Sequence, residues 1–299
     1  MSKVSANNIR IEYETFGDPS SPPILLIIGL GGHLIYWDED FCRQLAESGL
    51  YVIRFDNRDA GLSTKLDEAG VPDVMDVIGK LMAGQKVTPP YTIEDMAADA
   101  VGLLDALNIE KAHICGISMG GMIAQALSIG FARRVLSLTS IYSTTGNPDL
   151  PRPKPEVMGL LLAPPPHERE PFIEFNLSLF RAVTGPRFGL DEEWVRNVMG
   201  RAYDRDFCPQ GTVRQLVAIL TQGNRKTGLK GVKVPTLVIH GDADPLVPVE
   251  AGRDTAEAVQ GAELKIIEGM GHDLPHGELW AQIAVAIIAH TKKGRNESL

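Results

Sequence analysis

The chain of 299 residues is 44% hydrophobic and 22% charged, the balance of a globular protein that can bury a core without metals or disulfides. Its net charge of −9 excludes a nucleic-acid partner, because phosphate neutralisation needs a basic face. Cys42, Cys115 and Cys208 are scattered without C-x-x-C spacing, which excludes a disulfide framework or zinc site and fits a reducing cytoplasm.

In chain order, Met1 is not followed by an apolar run of signal-peptide length, and the longest apolar stretches, near residues 24–30 and 160–163, are too short to span a bilayer. A soluble cytoplasmic protein is therefore expected, a monomer or homodimer with no membrane partner. Residues 9–15 alternate apolar and polar side chains, as an antiparallel edge strand with one solvated face does. Buried strands are predicted over 24–28, 51–56, 112–117, 135–141, 235–240 and 264–268, each rich in β-branched or aliphatic residues and bounded by Gly, Pro or charge. The clearest helix spans 92–107, with Thr92 as cap and Asp95 in the place of a capping-box partner. A second helix starts after Ser118 and ends near Gly130, which suits a C-cap, and residues 278–290 read as a final packing helix. Strands alternating with helices predict an α/β fold with a largely parallel sheet covered on both faces.

That alternation breaks between about residues 144 and 224, where Pro148, Pro151, Pro153, Pro155 and Pro164-Pro165-Pro166 precede helical patterns around 172–183 and 191–203. The expected organisation is a core in two parts, 1–143 and 227–299, with a helical cap at 144–226; a surface loop is the alternative for its Pro-rich part. Leu160, Leu161, Leu162, Phe172, Phe175, Leu179 and Phe180 are candidates to line an apolar pocket beneath it, or else to form the cap's own core.

The strongest local signal is Gly116-Ile117-Ser118-Met119-Gly120, between an apolar strand and a helical pattern. A strand-to-helix turn that strains its central residue needs small neighbours, and it aims the serine at free N–H groups of the following helix. A serine hydroxyl is a weak nucleophile and needs a base. His272, in a Gly-rich loop after the last strand, is the best candidate; His276 is its nearest rival, whereas His113 and His240 lie inside strands. A carboxylate must fix the base's tautomer. Asp244, braced by Pro245, is preferred to Asp242, which is placed to order the turn. For the oxyanion, the Met119 N–H is one expected donor and the Leu30 N–H, in Gly29-Leu30-Gly31-Gly32, the other, with Gly31 as the alternative. That loop does not match a dinucleotide fingerprint and no P-loop lysine follows, so no cofactor is expected. His33 and Trp37, just beyond it, are placed to contact substrate.

These residues, with the turn Asp56-Asn57-Arg58-Asp59-Ala60-Gly61-Leu62-Ser63, together resemble the α/β-hydrolase superfamily over nearly the whole chain. The chain is most similar to the esterase branch that contains aclacinomycin methylesterase. The resemblance implies a mostly parallel eight-stranded sheet with a helical cap, and a serine carboxylesterase with Ser118 as nucleophile, His272 as base and Asp244 as orienting acid. A small-molecule ester is the implied partner. A lactonase, a C–C bond hydrolase or a cofactor-free perhydrolase would share this triad; a catalytically silent binding protein would not need it. Two positions depart from the family pattern. Ile28-Gly29 stands where many relatives have His-Gly, removing a hydrogen bond that braces the oxyanion loop. Asp59 stands where relatives often have Gly, so the turn is expected to pack differently.

Overall fold

The computed structural model describes residues 2–274 and 277–296; His276 lies outside the described residues. Strands β1 (Ser2–Ala6), β2 (Ile9–Phe16), β3 (Pro23–Ile27), β4 (Tyr51–Phe55), β5 (Ala112–Ile117), β6 (Val135–Ile141), β7 (Thr236–Gly241) and β8 (Glu263–Ile267) form one sheet in the order β1-β2-β4-β3-β5-β6-β7-β8. The pairs β1–β2 and β2–β4 are antiparallel and the rest are parallel. Every residue of β5 and β7 is buried, which is why these strands read as unbroken apolar runs. The expectation for residues 9–15 needs correcting. β2 is flanked by β1 and β4, and β1 is the edge.

The first part of the chain contributes α1 (Glu39–Glu47), α2 (Val74–Met82), α3 (Ile93–Ala106) and α4 (Met119–Gly130). Between β6 and β7 run α5 (Pro155–Leu162), α6 (Arg169–Val183), α7 (Glu192–Arg205), α8 (Pro209–Thr221) and the short α9 (Lys226–Leu229). The last two helices are α10 (Val249–Ala258) and α11 (Glu278–Asn296), the latter longer than its sequence pattern suggested. Successive β3 residues point to opposite faces of the sheet. Leu25 and Ile27 join a core with Ile93 and Met96 of α3 and Ile123 of α4, while Ile24 and Leu26 join Phe41 and Leu45 of α1 and Ile283 of α11.

Local chemistry accounts for the helix ends. Thr92 Oγ1 accepts the Asp95 N–H at 3.1 Å and Asp95 Oδ2 accepts the Thr92 N–H at 2.8 Å, so the shorter aspartate completes a capping box. Gly130 is the last helical residue of α4 and keeps a negative φ; the cap falls on Phe131. Pro155 and Pro209 occupy the first turns of α5 and α8, where a missing N–H costs no helical hydrogen bond. A further apolar cluster joins Ile173 and Leu177 of α6 and Val195, Val198 and Met199 of α7 to Leu34 and Ile35, just beyond β3. The helices between β6 and β7 are thereby packed against the loop that follows Gly29.

Candidate active site

Ser118 links β5 to α4 with φ +53° and ψ −121°, a left-handed conformation that costs a non-glycine residue about 1–3 kcal/mol. The surrounding structure enforces it. The Ser118 N–H donates to the Ile141 carbonyl at 3.0 Å, and the Ser143 hydroxyl donates to the Ser118 carbonyl at 2.7 Å. Glycine is required on both sides by close approach: a Cβ on Gly116 would overlap the Gly120 carbonyl, and one on Gly120 the Ile27 carbonyl.

Three loops bring the side chains together. His272 Nε2 is 2.9 Å from Ser118 Oγ, and His272 Nδ1 is 2.7 Å from Asp244 Oδ2. Asp244 Oδ1 accepts the N–H groups of Leu246 and Val247 at 2.9 and 2.8 Å. Burial alone would raise the Asp244 pKa. The charge and hydrogen bond of His272, the nearby His240 ring and the Val247 N–H outweigh it and hold the carboxyl well below the usual range. Asp242 instead accepts the Gly269 N–H at 2.6 Å and orders the turn. His113 and His240 are packed within strands; His113 Nδ1 is 2.8 Å from Ser137 Oγ and His240 Nε2 is 2.7 Å from the Val247 carbonyl.

The His272 loop is itself gripped. Its N–H donates to the Val183 carbonyl at the end of α6 at 2.8 Å, and the Tyr142 ring packs on the imidazole at 4.5 Å between centroids. Asp273, buried next to His272, accepts the Thr184 hydroxyl at 2.6 Å. Burial pushes its carboxyl up to about 6, against the lowering effect of that bond.

A Cβ on Gly29 would come within 3.2 Å of Ser118 Cβ, which puts the loop after β3 beside Ser118. The Gly31 N–H donates to Gln215 Oε1 at 2.8 Å and is therefore already occupied. Among the described residues, neither the Leu30 nor the Met119 N–H has a hydrogen-bond acceptor. In place of the absent His-Gly brace, Asn57 Nδ2 donates to the Ile28 carbonyl at 3.1 Å.

The second departure is explained by α8. Asp59 has φ +66°, where glycine would be unstrained, and its buried carboxylate pairs with Arg214 through bonds of 2.8 and 2.9 Å. A buried pair stripped of one partner strands the other charge, at a cost of about 3–5 kcal/mol. Arg214→Met is therefore expected to lose about that much stability in urea unfolding. Adding Asp59→Gly should recover most of it, by removing the stranded carboxylate and relieving the positive φ. Equal stability of the single and double variants would show that the pair is not what matters.

A cavity of about 830 Å³ opens over Ser118 and His272. Leu160, Leu161, Leu162, Phe172, Phe175, Leu179 and Phe180 all line it, and Phe172 and Phe180 also pack against the cluster of α6 and α7. His33 lines it too, stacked near Tyr36; burial depresses its pKa to about 4, so it is neutral at pH 7. Trp37 does not belong to the cavity. The 3-10 turn Leu34–Tyr36 carries it into the core, 1% exposed and stacked on Phe41 at 5.7 Å. Sequence patterns did not single out Gln215, Tyr142 or Asp273. The only local signal for Gln215 was a polar pair, Arg214-Gln215, inside the apolar run of α8.

Among the described residues, no cluster of His, Cys, Asp and Glu is placed to hold a metal, and no helix is long and apolar enough to cross a membrane. Residues 22–278 match the family model described as alpha/beta hydrolase fold. The chain is 28% identical to rhodomycin D methylesterase of Streptomyces peucetius, with 97% of each chain covered. It is 30% identical to a 2-hydroxy-6-oxononadienedioate/2-hydroxy-6-oxononatrienedioate hydrolase of Paraburkholderia xenovorans, covering 73% of this chain and 75% of that one. Its fold superposes on the enol-lactonase of Burkholderia xenovorans with a TM-score of 0.70 at 23% identity, covering 99% and 98% of the two chains.

Proposed function

The chain belongs to the α/β-hydrolase fold family, and from that premise we propose that it is a serine carboxylesterase acting through an acyl-enzyme. The observation that carries this reading is the unbroken hydrogen-bond chain from Ser118 Oγ through His272 to Asp244, at 2.9 and 2.7 Å. His272 Nε2 takes the Ser118 proton as Oγ attacks the ester carbonyl carbon, and the oxyanion rests on the Leu30 and Met119 N–H groups. The C–O bond of the ester then breaks, and the alcohol leaves with the proton from His272. Water, deprotonated by His272, attacks the acyl-enzyme, and the acid departs as Ser118 regains its proton.

Residues 144–226 act as the cap, and their apolar lining selects small to medium apolar esters. Similarity to a methylesterase supports an ester with a small alcohol. The 30% identity to a hydrolase of oxo-dienedioates favours one second reading, C–C bond hydrolysis with the same triad. A fluorophosphonate probe is expected to label Ser118. A panel of p-nitrophenyl esters from acetate to palmitate, with a methyl ester, a lactone and a β-diketone, should be turned over at the esters. Preferred cleavage of the diketone would transfer the assignment to the second reading. No labelling and no turnover would leave a binding protein.

A further inference from the structure

Gln215 lies on α8, far from Ser118 in sequence, and is fully buried. Its Oε1 accepts the Gly31 N–H at 2.8 Å and its Nε2 donates to the Arg58 carbonyl at 2.7 Å. A donor on one side and an acceptor on the other leave only one orientation for the amide. Gly31 has φ +64°, and the turn is closed by the Gly32 N–H on the Gly29 carbonyl at 3.1 Å. The helix lies so close that a Cβ on Gly31 would come 2.9 Å from Thr212 Oγ1. Next to Gln215, Arg214 grips Asp59, and a Cβ on Gly211 would overlap the Asp59 carbonyl. One face of α8 is thus locked to the turn after β4 and to the loop after β3. The Leu30 N–H, next to the pinned Gly31, has no hydrogen-bond acceptor among the described residues.

We propose that Gln215 is the positioning residue of the oxyanion hole: it pins the Leu30–Gly31 peptide from the cap side, so that the Leu30 N–H stands ready for the oxyanion on Ser118. This rests on the serine-esterase reading above. Gln215 touches no reacting atom. Its effect is geometric, exerted on Gly31 from α8, while Asn57 holds the Ile28 carbonyl. The interaction matters most when negative charge develops on the carbonyl oxygen, so its loss falls on kcat rather than KM.

The test compares Gln215→Met and Gln215→Glu in the full chain, with p-nitrophenyl butyrate and a fluorophosphonate as probes. Methionine keeps the volume but removes the acceptor; glutamate keeps an acceptor for Gly31 while burying a carboxyl group. For Q215M, kcat is expected to fall by about 10- to 100-fold, with KM within about threefold and fluorophosphonate labelling slowed in parallel. Q215E should recover most of the lost kcat even though it melts below Q215M. A purely structural role predicts the opposite ranking, with activity following melting temperature, and that ranking overturns the proposal. So does a Q215M enzyme within threefold of wild type in both kcat and labelling. If Q215M does not fold, Gln215→Asn, too short to span both partners, takes its place with the same expected loss. Wild-type protein that neither labels nor hydrolyses ester would remove the esterase reading and the role of Gln215 together, an outcome distinct from loss of the Gln215 effect alone.

Discussion

Ser118→Ala is expected to lower kcat/KM for p-nitrophenyl esters by about 10⁶-fold, the usual scale when a triad loses its nucleophile, and to abolish fluorophosphonate labelling. The fold should survive. Ser118 Oγ contributes a single hydrogen bond, to His272 at 2.9 Å, and the backbone bonds that hold the elbow involve the Ser118 N–H and carbonyl, which alanine keeps. Alanine inherits the strain of φ +53°, whereas Ser118→Gly does not. The glycine variant should therefore be equally inactive yet more stable, by about 1–3 kcal/mol. Thermal melts of the three proteins, alongside ester assays, check both halves. Ester hydrolysis by S118A at more than a hundredth of the wild-type rate would remove Ser118 from the chemistry.

The parts of this molecule that were legible in the sequence are those whose signals are local. The elbow is a strand, one residue and a helix in immediate succession, so Gly116 to Gly120 could be read without knowing anything distant. The buried strands announced themselves by apolar runs, because helices on both faces leave no solvated side to alternate with. β1 lacked such a signal. Ser2–Ala6 is largely exposed, and without it β2 read as the edge. Pro155 and Pro209 each stand in the first turn of a helix that the periodic patterns at 172–183 and 191–203 did not mark. Trp37 adjoins the oxyanion loop in sequence, but one turn of 3-10 helix points it inward. Gln215 was beyond reach for a different reason. Its partners, Gly31 and Arg58, are 184 and 157 residues away, and nothing in α8 alone encodes such a pairing. Asp59 was visible as a departure from the family pattern, but its compensation by Arg214 became apparent only once the two were adjacent in space.

Asp244→Asn carries the second-largest expected effect, a loss of about 10⁴-fold in kcat/KM near neutral pH. The reason lies in how Asp244 is held. Its Oδ1 already accepts two backbone N–H groups, from Leu246 and Val247, so an asparagine must place its carbonyl oxygen there. The amide NH₂ then takes the position of Oδ2 and faces His272 Nδ1. A donor at that point requires Nδ1 to be the unprotonated nitrogen, which moves the ring proton to Nε2, opposite Ser118. The base is then in the wrong tautomer, and its protonated form loses the countercharge that stabilises it. Because its pKa is held below the ordinary range, Asp244 in the wild-type protein stays ionised through mildly acidic pH. Its contribution to stability is present above the unfolded carboxyl pKa of about 3.9 and disappears only as pH falls through the lower folded value. Rate losses between about pH 5 and 7 therefore cannot come from protonation of Asp244, and D244N should be impaired across that whole window rather than at one end of it. Asp242→Asn is the matched control: Asp242 bonds the Gly269 N–H and not the imidazole, so its variant should retain activity within a few-fold of wild type. If D242N lost the 10⁴-fold instead, the orienting carboxylate would have to be reassigned to Asp242.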